Sequence, residues 1–227
     1  MFFVIRDQQE IAIDKVDAPR IGLREVLGSH NVPMLIVGML CWLTCLIVTS
    51  ALLPSYLIDR LGLSSLQMGT VMSAIGFGGA AGCLILPGLS DRGGRKPVML
   101  AATLGGALAS YLLSLVGADV LNLFLLLFCV HFFNFALIAL TVGPISAESV
   151  PPTHMATASG MVICVGELFG GGIAPLLAGF VAKHFGIGHI LLLAIGALLF
   201  GAVVMLFLRG TAPRRLAATW NKRDHQH

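Results

Sequence analysis

Six long apolar runs divide this chain: Pro33–Leu57, Ser65–Pro87, Val98–Gly117, Val120–Val142, Ala156–Val181 and Ile187–Leu208. Each is long enough to cross a bilayer, because a hydrocarbon core about 30 Å thick takes about 20 residues rising about 1.5 Å each. Lipid offers backbone groups no hydrogen-bond partners, so a spanning segment without strand-like alternation folds as a helix. The chain is 57% hydrophobic and 11% charged, with a mean hydropathy of +0.93. Soluble domains are about 45–50% apolar and about 25% charged. The expected fold is therefore an all-α membrane protein of six transmembrane helices.

The charges that remain are placed unevenly. With six spans, both termini share a side with the loops after the second and fourth spans. That side holds Arg6, Lys15, Arg20, Arg24, Arg92, Arg95, Lys96, Arg209, Arg214, Arg215, Lys222 and Arg223, which is 12 of the 14 basic residues; the other side holds Arg60 and Lys183. Basic residues mark the cytoplasmic side, so both termini are expected there, in a cytoplasmic (inner) membrane. The net charge of +3 needs no nucleic-acid partner. A basic tail beyond Leu208 suits anionic lipid. The expected organisation is a cytoplasmic linker over residues 1–32, a bundle over 33–208 and a cytoplasmic tail over 209–227. Met1–Ile5 is too short for a signal sequence and reads as the end of a preceding span.

No reaction centre is legible. The five cysteines all fall in apolar runs, which argues against a disulfide framework. Cys41 and Cys45 lie one helical turn apart without the histidine or acid that would complete a metal site. "GFGGAAG" (76–82) lies inside a span and not after a soluble strand, so it is no phosphate loop. An enzyme, a metal and a cofactor are not expected.

Two ionisable residues fall at mid-membrane depth: His131 in the fourth span and Glu167 in the fifth. Burial there costs about 2.5–3.5 kcal/mol for a charge, so such residues usually face a cavity or a partner. Both are candidates for a substrate or proton pathway, with an inter-helix hydrogen bond as the alternative. Asn134 lies on the His131 face, three residues on. In the first span Trp42, Cys45, Thr49 and Tyr56 form a stripe that either lines a cavity or packs helices. Pro54 is expected to bend the outer end of that span. Gly69, Ser73, Gly76, Gly78, Gly79 and Gly82 in the second span, and Gly170, Gly171 and Gly172 in the fifth, suit close helix approach.

The segment "PGLSDRGGRK" (87–96) concentrates Asp91, Arg92, Arg95 and Lys96 between the second and third spans. It resembles the signature loop of the major facilitator superfamily, G-x-L-A-D-R-x-G-R-K, matching at Leu89, Asp91, Arg92, Gly94, Arg95 and Lys96 and departing at Pro87 and Ser90. "ISAESVPP" (145–152) resembles that family's acidic residue followed by proline after the tenth helix. "GELFGGGIAPLLAG" (166–179) resembles its eleventh helix. The resemblance implies six helices forming one half of a twelve-helix transporter, helices seven to twelve, with an N-terminal six-helix half as partner. It implies a cytoplasmic charge network of Asp91, Arg92, Gly94, Arg95, Lys96 and Glu148. It further implies alternating-access transport of a small organic solute, coupled to protons, with the organic anion symporter branch the nearest in sequence. The alternatives are a multidrug efflux transporter of the same superfamily and a six-span scaffold that transports nothing.

Overall fold

In the computed structural model, residues 26–151 and 154–208 are described. Among the described residues, six helices are long and apolar enough to cross a membrane: α1 (Asn31–Arg60), α2 (Ser65–Gly93), α3 (Arg95–Leu115), α4 (Val120–Glu148), α5 (Met155–Phe185) and α6 (Ile187–Leu206). Most of the linker and all of the tail expected from sequence lie outside the described residues.

Local chemistry sets the helix ends. Ser64 and Gln67 form a reciprocal capping box at the start of α2, with Ser64 N–H donating to Gln67 Oε1 at 2.9 Å and Gln67 N–H donating to Ser64 Oγ at 3.3 Å. Asp119 caps α4 by accepting from Leu121 N–H and Asn122 N–H. Between α2 and α3 a single residue, Gly94, turns the chain at φ +89°, where a side chain would be strained.

Most of these helices outrun their apolar segments at one end or both. α2 continues through Pro87 to Gly93, α3 begins at Arg95 and not at Val98, and α4 runs to Glu148. Asp91, Arg92, Arg95 and Glu148 therefore lie on helical turns and not in loops. Hydropathy stops at the first charge, whereas a helix carries charge on its rim as long as its backbone stays paired. α5 likewise reaches Phe185, placing His184 in its last turn. Its Nδ1 meets the Phe180 carbonyl at 3.1 Å.

Two helices contain π turns. In α1, turns over Val48–Leu52 and Tyr56–Arg60 flank the segment that holds Pro54. A proline removes one N–H and crowds the carbonyl four residues back, and a wider turn relieves both. In α4 a π turn over Thr141–Ile145 contains Pro144.

The helices pack in two layers. α2, α4, α1 and α5 lie in a row, each touching the next. α3 packs across α4 and α6 across α1, and these two touch each other. Exchanging α1, α2, α3 for α4, α5, α6 leaves this pairing pattern unchanged. Because α1 and α4 run in opposite directions, the arrangement is an inverted three-helix repeat. The row ends are the most open: only 28% of the α5 core window and 33% of that of α2 is buried, against 50% for α1.

Candidate functional site

Arg95 is the hub of the charge cluster where the ends of α2, α3 and α4 meet. As the first residue of α3 it is only 5% exposed. Its guanidinium reaches the ends of two other helices. Nε and Nη2 donate to Glu148 Oε1 on α4, at 3.2 and 2.8 Å. Nη1 donates to Ser90 Oγ at 2.6 Å and pairs with Asp91, both on α2. A planar fork of donors suits this task in a way that a lysine point charge does not. Asp91 is more than half exposed, whereas Glu148 is 15% exposed. Arg92 is exposed at the rim. Lys96 turns away from the cluster: Nζ donates to the Leu206 carbonyl at 2.6 Å, and His30 Nε2 meets the Phe207 carbonyl at 3.0 Å. Both side chains thereby satisfy carbonyls left free at the end of α6. Of the six cluster residues expected from sequence, Asp91, Arg95 and Glu148 are brought together, Gly94 supplies the turn, and Arg92 and Lys96 stand outside.

A second polar group lies on the seam between α1 and α4. Trp42 Nε1 donates to Thr141 Oγ1 at 3.1 Å, and Asn134 Nδ2 donates to the Trp42 carbonyl at 3.1 Å. His131 Nε2 meets Thr49 Oγ1 at 3.2 Å, and His131 Nδ1 meets the Leu127 carbonyl at 3.1 Å. A carbonyl only accepts, so Nδ1 carries a proton. The Thr49 hydroxyl also lies 2.7 Å from the Cys45 carbonyl, to which it donates. All five residues are buried. Gly201 lets the Trp42 ring approach, since a methyl there would sit 2.6 Å from Cζ3. Tyr56, from the same sequence stripe, is also buried, further along α1. The seam thus gathers Trp42, Thr49, His131 and Asn134, fully enclosed within this bundle.

Glu167 stands apart from them, exposed on α5. The buried stripe of α5 is small: Ala158, Val162, Gly166, Gly170, Ala174 and Ala178. Gly166 and Gly170 touch Met39 and Leu43 of α1. On one flank of that contact, Phe169 and Ile173 line an apolar groove with Leu40 and Thr44. Phe169 precedes Gly170 by one residue, and Glu167 follows Gly166 by one. At about 100° per residue they project to opposite flanks. On α1 the groove residues lie on the way round to Cys41, where Gly201 of α6 packs. The groove is therefore on the α6 side. Glu167 faces the other side, in front of the α2–α4–α1–α5 row.

The glycines of α2 divide in the same manner. Gly78 and Gly82 abut the backbone oxygens of Phe128 and Phe132 on α4, and Gly79 abuts the Phe135 ring; Gly69 and Gly76 meet nothing within 4 Å.

A family model of the Major Facilitator Superfamily matches residues 2–167 and 89–226. The chain belongs to this superfamily. The structure of an auto-inhibited peptide transporter of the POT family matches with a TM-score of 0.61 and 16% identity, over 77% of this chain and 36% of that one. At that identity the likeness is one of fold. This chain thus spans little more than a third of the length of that transporter. As a major facilitator protein it has a transport fold and not a catalytic one, and its six helices correspond to one half of the twelve-helix architecture.

Sequence reasoning passed over Ser90 and Thr141. Thr141 follows Asn134 by seven residues and so shares its helix face. Ser90 stands where the family pattern has alanine, and its hydroxyl oxygen accepts a hydrogen bond from Arg95 Nη1.

Proposed function

We propose that this chain forms the C-terminal half of a secondary active transporter for a small organic solute, working by alternating access and completed by a second six-helix unit. The observation that carries this reading is the open front of the helix row, where α2 and α5 are the least buried helices and a mid-membrane acid faces outward. Rigid halves rocking about a central site need such a face. The basic-residue bias supports cytoplasmic termini in an inner membrane. Asp91, Arg95 and Glu148 act as a cytoplasmic latch, with ion pairs across three helix ends that strengthen in one state and loosen in the other. Coupling to protons runs through Glu167 or His131. The sequence likeness around "PGLSDRGGRKPV" favours an organic anion symporter. The scarcity of ionisable side chains in the spans favours a multidrug exporter as the second reading.

Two measurements test this. Detection of the native protein in source membranes, through its C-terminal tail, should give a mass near twice the 23.9 kDa of this chain, or a 23.9 kDa species that copurifies with a second six-span unit. A solitary six-span monomer would count against the reading. Solute uptake into vesicles should respond to an imposed pH gradient and fall in Glu167→Gln or His131→Gln. Uptake indifferent to pH, with full activity in both variants, would remove proton coupling.

A further inference from the structure

We infer that a water molecule is bound inside the seam at mid-membrane, held by Asn134 Oδ1 and His131 Nε2 of α4 and by the Ser110 hydroxyl of α3. The inference concerns how the bundle is held together and does not rest on the transport reading above.

The first observation is a shortage of protons in the seam. Among the described residues, four buried side-chain nitrogens or oxygens lack a hydrogen-bond partner: Ser29 Oγ, Ser110 Oγ, Asn134 Oδ1 and His154 Nδ1. Ser29 and His154 stand at the starts of α1 and α5. Asn134 lies roughly 21 Å of helix rise from either end of α4. Asn134 is 1% exposed and Ser110 is 0% exposed. His131 Nε2 adds a third acceptor. The ring proton on Nδ1 goes to the Leu127 carbonyl, and the one proton of the Thr49 hydroxyl goes to the Cys45 carbonyl. Nε2 of the neutral ring therefore meets an oxygen with no proton to give it. A second ring proton would leave a buried cation without an acid, since Glu167 is exposed on α5.

The second observation is that these atoms converge. Asn134 and His131 are three apart on one helix face, about 5–6 Å between Cβ atoms, a span that one water bridges. Asn134 holds the Trp42 carbonyl, and His131 meets Thr49. Cys45 lies between Trp42 and Thr49 on the same stripe of α1, and Ser110 packs against its thiol. The Ser110 hydroxyl thus faces the gap between the two α4 side chains, and both residues that border the gap from α1 and α3 are small. A water donates twice, to Asn134 Oδ1 and His131 Nε2, and accepts once, from Ser110. Buried waters make about three such bonds. In this arrangement the water, and not a direct side-chain bond, ties α3 to the α1–α4 pair.

The test uses the full chain in lipid nanodiscs. X-ray radiolysis turns water into hydroxyl radicals that oxidise the side chains beside it. Cys45 and His131 should be oxidised severalfold faster than Met99, which is as fully buried and lies about three turns from Ser110 along α3. After a jump into heavy-oxygen water, oxygen added at Cys45 and His131 should become heavy more slowly than oxygen added at exposed His184, because a bound water exchanges slowly. Ser110→Ala should lower both yields and also lower the thermal midpoint, since it removes one of the bonds that hold the water. If Cys45 and His131 react no faster than Met99, and Ser110→Ala leaves the midpoint unchanged or raises it, the Ser110 hydroxyl is stranded and the inference fails. If the added oxygen follows bulk exchange, the seam is open to solvent, and a bound water is refuted equally.

Discussion

Replacing Arg95 by glutamine should be the most damaging single change at the rim where α2, α3 and α4 end. The guanidinium is 5% exposed, and its partner Glu148 is 15% exposed. Removing one member of a buried pair leaves the other charge without compensation, at a cost of about 3–5 kcal/mol. Glu148→Gln keeps the shape and leaves Arg95 its contacts to Asp91 and Ser90, so it should cost about 1.5–3 kcal/mol, the range for hydrogen bonds to charged groups. Asp91→Asn removes an i,i+4 pair whose acid is 56% exposed, and such pairs contribute about 0.2–1 kcal/mol. The expected order of destabilisation is Arg95, then Glu148, then Asp91. Thermal midpoints of the purified protein in detergent would report it, at about 2–4 °C per kcal/mol for a domain of this size. A double-mutant cycle between Arg95→Gln and Glu148→Gln should return a coupling above about 1 kcal/mol, since the two side chains share three hydrogen bonds. A coupling near zero, or Asp91→Asn as costly as Glu148→Gln, would refute the assignment of Arg95 as hub.

Gly82→Ala should lower the thermal midpoint and weaken α2–α4 packing, because the added methyl meets the Phe132 backbone oxygen; overpacking of this kind costs about 1–3 kcal/mol. Gly76→Ala, with nothing within 4 Å, should leave the midpoint of this half unchanged, and equal effects from the two would contradict the packing described. Thr49→Val should cost about 0.5–1.5 kcal/mol by removing the hydroxyl that faces His131, and His131→Leu in the Thr49→Val background should then cost less than in wild type. Trp42→Phe keeps the apolar bulk but strands the Thr141 hydroxyl, and should destabilise by about 1–3 kcal/mol; tryptophan fluorescence of the wild type should show a blue-shifted, quencher-protected component that the variant lacks.

The six spans were legible because a bilayer imposes a length and a polarity that few other folds share. Their ends were less so, since the apolar window closes at Pro87 while the α2 backbone stays paired as far as Gly93. The clustering of charge at 91–96 was plain, but the primacy of Arg95 was not. Asp91 and Arg95 are one turn apart, a spacing that hints at the pair, yet only the fold brings Glu148 to the same guanidinium from 53 residues away. His131 and Glu167 looked alike in sequence, each an ionisable residue at mid-span. What separates them is the face each presents, and that depends on which neighbours the helices acquire. α4 is wrapped by α1, α2 and α3, whereas α5 packs chiefly along one stripe, against α1. The stripe Trp42–Cys45–Thr49–Tyr56 showed one shared face but not whether that face met a cavity or another helix; through Trp42 and Thr49 it meets α4.

The seam and the π turns belong to one design. Thr49 lies within the Val48–Leu52 turn of α1, and Thr141 opens the Thr141–Ile145 turn of α4. Each wide turn disrupts the regular pairing of its own helix, and each carries a threonine whose hydroxyl meets the opposite helix, at His131 and Trp42. The two turns sit toward opposite ends of an antiparallel pair, the α1 turn toward the end that holds Arg60 and the α4 turn toward the end that holds Glu148. Asn134 ties the helices between them through the Trp42 carbonyl. The pair is thereby held through its middle by buried hydrogen bonds, while the two prolines lie further out, Pro54 toward the Arg60 end and Pro144 toward the Glu148 end. The alternating-access reading proposed above asks for such a fixed middle, because the site must stay formed while its two entrances change shape.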